Sequence, residues 1–136
     1  MTLGLLLAGL ATPGVAPAQG TLDSAAARAR GEWLAQDIAA LLAGSDTVRL
    51  QLPGVARSAS LTPGQAARLL LRYVEGSDEV SFDLRPIRSA APDHGYAEAR
   101  RRYVVRGTTD QREETVFLGF RLVDRAWRLR EVRVVP

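Results

Sequence analysis

The sequence predicts an α+β domain, a curved antiparallel sheet with two helices packed on one face. Three observations carry this. Helical periodicity is confined to two stretches in the first part of the chain, period-two alternation takes over from Val80 onward, and the final strand contains a phase slip that a regular flat ladder does not accommodate. The expected sheet is a meander of about four long strands plus shorter ones.

The first helix is expected to start at Asp23 or Ser24, whose short side-chain oxygens suit an N-cap. Trp33, Leu34, Ile38, Leu41 and Leu42 recur at helical spacing, so the helix is expected to continue to about Ala43, with Gly44 in the left-handed closing position. Val48-Arg49-Leu50-Gln51-Leu52 alternates apolar and polar and reads as a short strand. Pro53-Gly54 turns the chain, and an extended piece from about Val55 to Leu61 is placed to pair with that strand.

Thr62-Pro63-Gly64-Gln65 is a helix entry. Thr62 caps, Pro63 takes the first helical position and Gln65 reaches back as the capping-box partner. Ala66, Leu69, Leu70, Tyr73 and Val74 form the apolar stripe of this second helix, which Gly76 is expected to close. Val80, Phe82 and Leu84 then alternate with Ser81, Asp83 and Arg85 until Pro86 forces a bend or an edge. Residues 90–95 read as a loop. Tyr96 to Arg106 reads as a strand with Ala97, Ala99, Tyr103 and Val105 on one face. Gly107 to about Gln111 turns into a strand carrying Val116, Leu118, Phe120 and Leu122. A tight turn at Asp124-Arg125-Ala126 leads to the last strand. There Trp127 and Leu129 share one phase while Val132 and Val134 occupy the other. A bulge near Arg130-Glu131 restores a common face.

The composition bounds the function. The 136 residues suit one domain, with 46% hydrophobic and 24% charged content. With no Cys, disulfide and thiolate chemistry is excluded. All 18 basic residues are Arg, for a net charge of +3, yet they are interleaved with acids along the whole chain, which reads as a solvated surface. No nucleic-acid partner is expected.

Leu3, Leu5, Leu6, Leu7, Ala8 and Leu10 make an apolar run broken by Pro13-Gly14 and followed by Ala16-Pro17-Ala18. This matches a secretory leader over residues 1–18, although no Lys or Arg precedes the run. The run is shorter than the about 20 residues a membrane span needs. The expectation is an exported protein, periplasmic or extracellular, with residues 19–136 as one domain and no stable membrane insertion once the leader is removed.

The helix ending at Leu41-Leu42-Ala43-Gly44, the Leu61-Thr62-Pro63-Gly64-Gln65-Ala66 entry and the Trp127 to Val134 strand occur in an order that resembles the NTF2-like (cystatin-like) superfamily. More narrowly, the chain is similar to the DUF4783 type of small exported bacterial proteins of unknown function. The resemblance spans roughly residues 24 to 135. It implies a cone-shaped sheet closed by a helix, with a pocket between the first helix and the concave sheet face. Members of the superfamily use that pocket for isomerase or dehydratase chemistry, ligand binding or partner docking. The narrower family has no assigned catalytic residues to transfer.

The residues themselves supply no catalytic set. His94 is the single His, placed between Asp93 and Gly95, and a lone His without Cys makes a poor transition-metal site. No Ser-His-Asp spacing, phosphate loop, EF-hand or zinc motif occurs, so neither cofactor nor metal is expected. Asp37 and Asp83 are the carboxylates considered as pocket bases, since burial raises a carboxyl pKa. In Arg100-Arg101-Arg102, strand alternation points Arg101 away from its neighbours, while Glu98 shares the face of Arg100 and Arg102. The expected pocket lining is Trp33, Asp37, Tyr73, Tyr103 and Trp127.

Three functional readings follow. The first is a non-enzymatic exported domain that binds a small apolar ligand or a protein partner in the cone pocket, with a homodimer through the sheet as one assembly. The second is an isomerase- or dehydratase-type pocket enzyme using a buried carboxylate. The third is an envelope adaptor that binds anionic surfaces through Arg. A pocket carboxylate without an Arg partner favours the second, and a filled pocket counts against it.

Overall fold

The computed structural model describes residues 21–55 and 60–136, so the leader reading and the middle of the 55–61 segment lie outside the described residues. The element order is α1 (Leu22–Leu34), α2 (Ile38–Leu42), β1 (Arg49–Gln51), α3 (Pro63–Val74), β2 (Ser77–Leu84), β3 (Arg88–Ala91), β4 (His94–Val105), β5 (Gln111–Val123) and β6 (Ala126–Val135). The six strands form one curved sheet in the order β1-β6-β5-β4-β2, with β3 paired to β4.

The expected first helix is two helices. Thr21 caps α1, accepting a hydrogen bond from the Ser24 amide at 2.9 Å. The helix stops because Gln36 adopts φ 53°. The Asp37 amide bonds to the Glu32 carbonyl and the Gln36 amide to the Trp33 carbonyl, which satisfies two end carbonyls in the Schellman pattern. Asp37 then caps α2 by accepting from the Ala40 amide at 3.2 Å. The apolar stripe persists across the break, because both pieces pack on the same core through Trp33, Ile38, Leu41 and Leu42.

The α3 entry matches its sequence signature, with the Thr62–Gln65 capping box closed in both directions. Ala66, Leu70 and Val74 are its buried residues. Glu75, rather than Gly76, is the C-cap.

Two bulges set the phase of the sheet. In β6, Glu131 faces Gly119 and Leu129 faces Phe120, so Arg130 is the extra residue, within the expected Arg130-Glu131 segment. Leu129, Val132 and Val134 thereby share the buried face. The second bulge lies in β2, where Glu79 faces Tyr103 and Ser81 faces Arg102, leaving Val80 as the extra residue. Val80 is therefore 54% exposed instead of sharing the Phe82 face, and Glu79 turns inward in its place.

The segment expected as a loop at 90–95 is the tip of a β3–β4 hairpin, with Arg88 opposite Tyr96 and only Pro92-Asp93 between the strands. The β5–β6 turn has two residues, Asp124 (φ 51°) and Arg125 (φ 65°), the doubly left-handed geometry whose twist matches paired strands. One pairing had no local signal: β1 joins β6 in parallel, Leu50 opposite Val132, so the sheet is mixed. Val48 also bridges Leu61, the one described contact of the expected 55–61 pairing.

The core lies between the helices and one sheet face. Trp33 and Phe82 stack at 5.0 Å, surrounded by Leu42, Leu70, Val116, Leu118 and Val132, all buried. Burying a side chain such as Phe82 contributes about 1.5–3 kcal/mol. The opposite sheet face carries no helix among the described residues.

Candidate functional site

The cone interior is built around a charge. On β4 the inward face runs Ala97, Ala99, Arg101, and on β5 it runs Phe120, Leu118, Val116, Glu114; Arg101 and Glu114 are direct cross-strand partners. Arg101 is 0% exposed and Glu114 4%. The β2 bulge brings Glu79 to the other side of the same guanidinium, with its side chain 2% exposed.

Every carboxylate oxygen in this centre is engaged. Arg101 Nε donates to Glu79 Oε1 at 2.7 Å and Nη2 to Glu79 Oε2 at 2.5 Å, a two-pronged pair. Arg101 Nη1 donates to Glu114 Oε1. Trp33 Nε1 donates to Glu79 Oε1 at 2.9 Å, and the Tyr73 hydroxyl donates to Glu114 Oε2 at 2.6 Å. The Gln36 amide reaches Glu79 Oε2 at 3.3 Å and the carbonyls of Val74 and Ser77 at 3.0 and 2.9 Å. The guanidinium carbon lies 4.0 Å from the Tyr103 ring centroid and 5.5 Å from that of Trp33.

Burial alone would push the Arg101 pKa down, but hydrogen bonds and charge from Glu79 and Glu114 outweigh it and hold the pKa above the ordinary arginine value. Burial, followed by the Glu114 contact, raises the Tyr73 pKa, and burial with the Glu114 charge raises that of Tyr103. Unfolded tyrosines ionise near 10.0, so above that pH the unfolded chain loses protons that folded Tyr73 and Tyr103 retain. Their contribution to stability is complete below that value and is lost as pH rises toward the folded pKa values. Urea midpoints taken upward from about pH 8 are expected to fall beyond pH 10, and less steeply in Tyr73→Phe. Identical slopes in the two proteins would show that Tyr73 is not the titrating group.

Trp33, Tyr73 and Tyr103, three of the five expected lining residues, thus meet, but around Arg101 and not around a void. Asp37 is exposed and occupied in capping α2, because the helix break turns it out of the apolar stripe. Asp83 is exposed on β2. Trp127 packs on the core beside the β5–β6 turn, opposite Leu122. Arg101, Glu79 and Glu114 were not among the expected site residues. Extending the apolar alternation of β4 and β5 by one step lands on Arg101 and Glu114; Glu79 has no such signal, because the bulge resets its phase.

The open sheet face holds a groove of about 1250 Å³. Strand alternation supplies its lining: side chains opposite in phase to the core, namely Arg49 and Gln51 from β1, Arg133 and Glu131 from β6, Phe117 and Arg121 from β5, Tyr96 and Glu98 from β4. Pairing arranges them in two rows across the sheet. One runs Arg49, Glu131, Gly119, Tyr96, Arg88; the other runs Gln51, Arg133, Phe117, Glu98, then Arg85, whose amide bonds to the Glu98 carbonyl at 2.8 Å.

Six arginines line this groove (Arg49, Arg85, Arg88, Arg121, Arg130 and Arg133) against two glutamates, Glu98 and Glu131. None of the eight takes part in an ion pair among the described residues. Arg130, the bulge residue, reaches Thr47 Oγ1 at 3.4 Å, and Arg133 lies over the Phe117 ring at 4.3 Å. His94, paired with Asp93 at 2.8 Å, stands at the rim. None of the five expected lining residues borders the groove.

No protein-family model and no curated protein sequence matches the chain. Solved structures do. A ketosteroid isomerase-like protein from Erwinia carotovora atroseptica superposes with TM-score 0.66 at 16% identity, over 83% of this chain and 91% of that one. A DUF4783 family protein from Bacteroides uniformis gives 0.60 at 14%, over 85% and 96%. An NTF2-like protein with a cystatin-like fold from Novosphingobium aromaticivorans gives 0.57 at 21%, over 82% and 76%. The architecture is the NTF2-like cone, as the order of the sequence motifs implied. At these identities the likeness speaks for the fold, and the site has to be read from this chain's own residues.

Proposed function

We propose that the chain is a non-catalytic binding domain whose site is the open-face groove, and that it takes an anionic ligand there. The observation that carries this is the excess of six groove arginines over two glutamates, none of them in a direct ion pair among the described residues, set beside an interior in which every carboxylate oxygen is satisfied. A guanidinium presents a planar fork of donors that matches carboxylate and phosphate. A clustered excess of one charge also raises the local concentration of the opposite charge.

The pocket-enzyme reading required an interior carboxylate free of arginine. Glu79 and Glu114 are both tied to Arg101, and Asp37 and Asp83 face solvent. An apolar ligand in the cone interior would have to displace this centre together with the Trp33–Phe82 stack.

The test is calorimetric titration with soluble polyanions, inorganic polyphosphate and polyglutamate, at low ionic strength. At least one is expected to bind, and Arg49→Gln with Arg133→Gln is expected to weaken that binding by about tenfold, roughly 1.4 kcal/mol. Both side chains lie on the face without helices, so the fold should be unaffected, and added salt should weaken the interaction further. Affinity unchanged by the double substitution would remove the groove as the site.

A further inference from the structure

The groove is too large and too mixed in charge for a simple anion. Its volume of about 1250 Å³ exceeds the roughly 300–1,000 Å³ of pockets that enclose small molecules. From Arg49 on β1 to Arg88 on β3 the row crosses four strand spacings, about 19 Å along the sheet. An extended peptide covers that span with about six residues.

The polar groups discriminate among polyanions. Arginines stand at both flanks, Arg49 and Arg133 on one side, Arg85 and Arg88 on the other. Between them sit Glu98, half-buried, and Glu131, exposed, acceptors that no described side chain or amide engages. Both repel the charges of any polyanion, and a phosphate chain brings no N–H donor to offset that repulsion. A peptide brings backbone N–H groups along its whole length. Gly119, midway along the first row, lets the Glu131 side chain fold over the sheet there: a Cβ at Gly119 would stand 3.2 Å from the Glu131 Cβ and 3.5 Å from its Oε1, which sets this carboxylate in the middle of the row. A nucleic acid strand would look for successive open aromatic faces. Among the described groove residues the exposed rings are Tyr96 and, already paired with Asp93, His94, because Arg133 covers Phe117; they do not make a run of stacking platforms.

We infer that the groove receives an extended acidic peptide segment, lying across the sheet with its carboxylates on the flanking arginines and its main-chain N–H groups toward Glu98 and Glu131. This rests on the anion-binding reading of the same groove and narrows it to one ligand class.

The experiment is fluorescence anisotropy with three labelled probes of comparable charge: a Glu/Asp hexapeptide, a short inorganic polyphosphate and an oligothymidylate. The hexapeptide is expected to bind at least about tenfold tighter than the other two, and Arg49→Gln with Arg133→Gln to abolish the difference. In Glu98→Gln with Glu131→Gln, polyphosphate binding should strengthen more than peptide binding, shrinking the preference. Polyphosphate or oligothymidylate binding as tightly as the peptide would overturn the peptide assignment while leaving the anion site standing. A preference unchanged by the glutamate pair would overturn the recognition argued from those acceptors. Absence of binding by all three probes would remove both readings together.

Discussion

Replacing Arg101 with methionine is expected to lower the free energy of unfolding by about 3–5 kcal/mol, among the largest losses a single substitution in this chain can cause. The reason is asymmetry. Arg101 is fully buried and supplies three hydrogen bonds to Glu79 and Glu114. A methionine fills much of the volume but leaves two carboxylates facing each other in the interior without a counter-charge. Removing those charges as well should recover much of the loss, so Arg101→Met with Glu79→Gln and Glu114→Gln is expected to be more stable than the single variant. Urea unfolding of both proteins measures this. If the triple variant is less stable than Arg101→Met, the cost lies in lost packing and lost hydrogen bonds rather than in stranded charge. The centre also joins α1, α3, β2, β4 and β5 through five side chains, so the single variant should lose helix–sheet cooperativity, visible as a reduced slope of the unfolding transition.

Trp33→Ala carries the second large effect, about 3–5 kcal/mol. Trp33 is fully buried, stacks on Phe82 and donates to Glu79. Truncation opens a cavity beneath the sheet and removes a donor from a buried carboxylate at the same time. Trp33→Phe separates the two contributions. It keeps most of the apolar contact and should cost about 1–3 kcal/mol, chiefly for the lost indole donor. If Trp33→Phe proves as damaging as Trp33→Ala, the ring's shape matters more than the two effects named here.

The elements were largely legible from local chemistry. Thr62-Pro63-Gly64-Gln65 specifies a helix start by satisfying end amides, with little need of tertiary context, and the structure closes that capping box as drawn. The bulge in β6 was legible because Leu129 and Val132 cannot share a face without an extra residue, and Arg130 is that residue. The single long helix failed for a related reason: its apolar stripe continues through Gln36, so periodicity showed no break. The break depends on the Gln36 side chain finding carbonyls of Val74 and Ser77, about forty residues away.

The site was legible only in fragments. Trp33, Tyr73 and Tyr103 are expected, with Asp37 and Trp127, to line a pocket; the three aromatics meet around Arg101, which residue types along the chain do not reveal. Asp37 lies near the Trp33 and Ile38 stripe in a continuous helix, and the helix break places it at a cap instead.

The sequence by itself determined the α+β architecture, the order of its elements and the chemistry of its turns, because capping, alternation and phase are properties of neighbours along the chain. Tertiary structure alone decided three things: the parallel pairing of β1 with β6, the inward turn of Glu79, and the assembly of six dispersed arginines into one groove. Each depends on which strands lie side by side and where a bulge resets their phase. The energy that settles such choices comes from contacts between residues far apart in the chain.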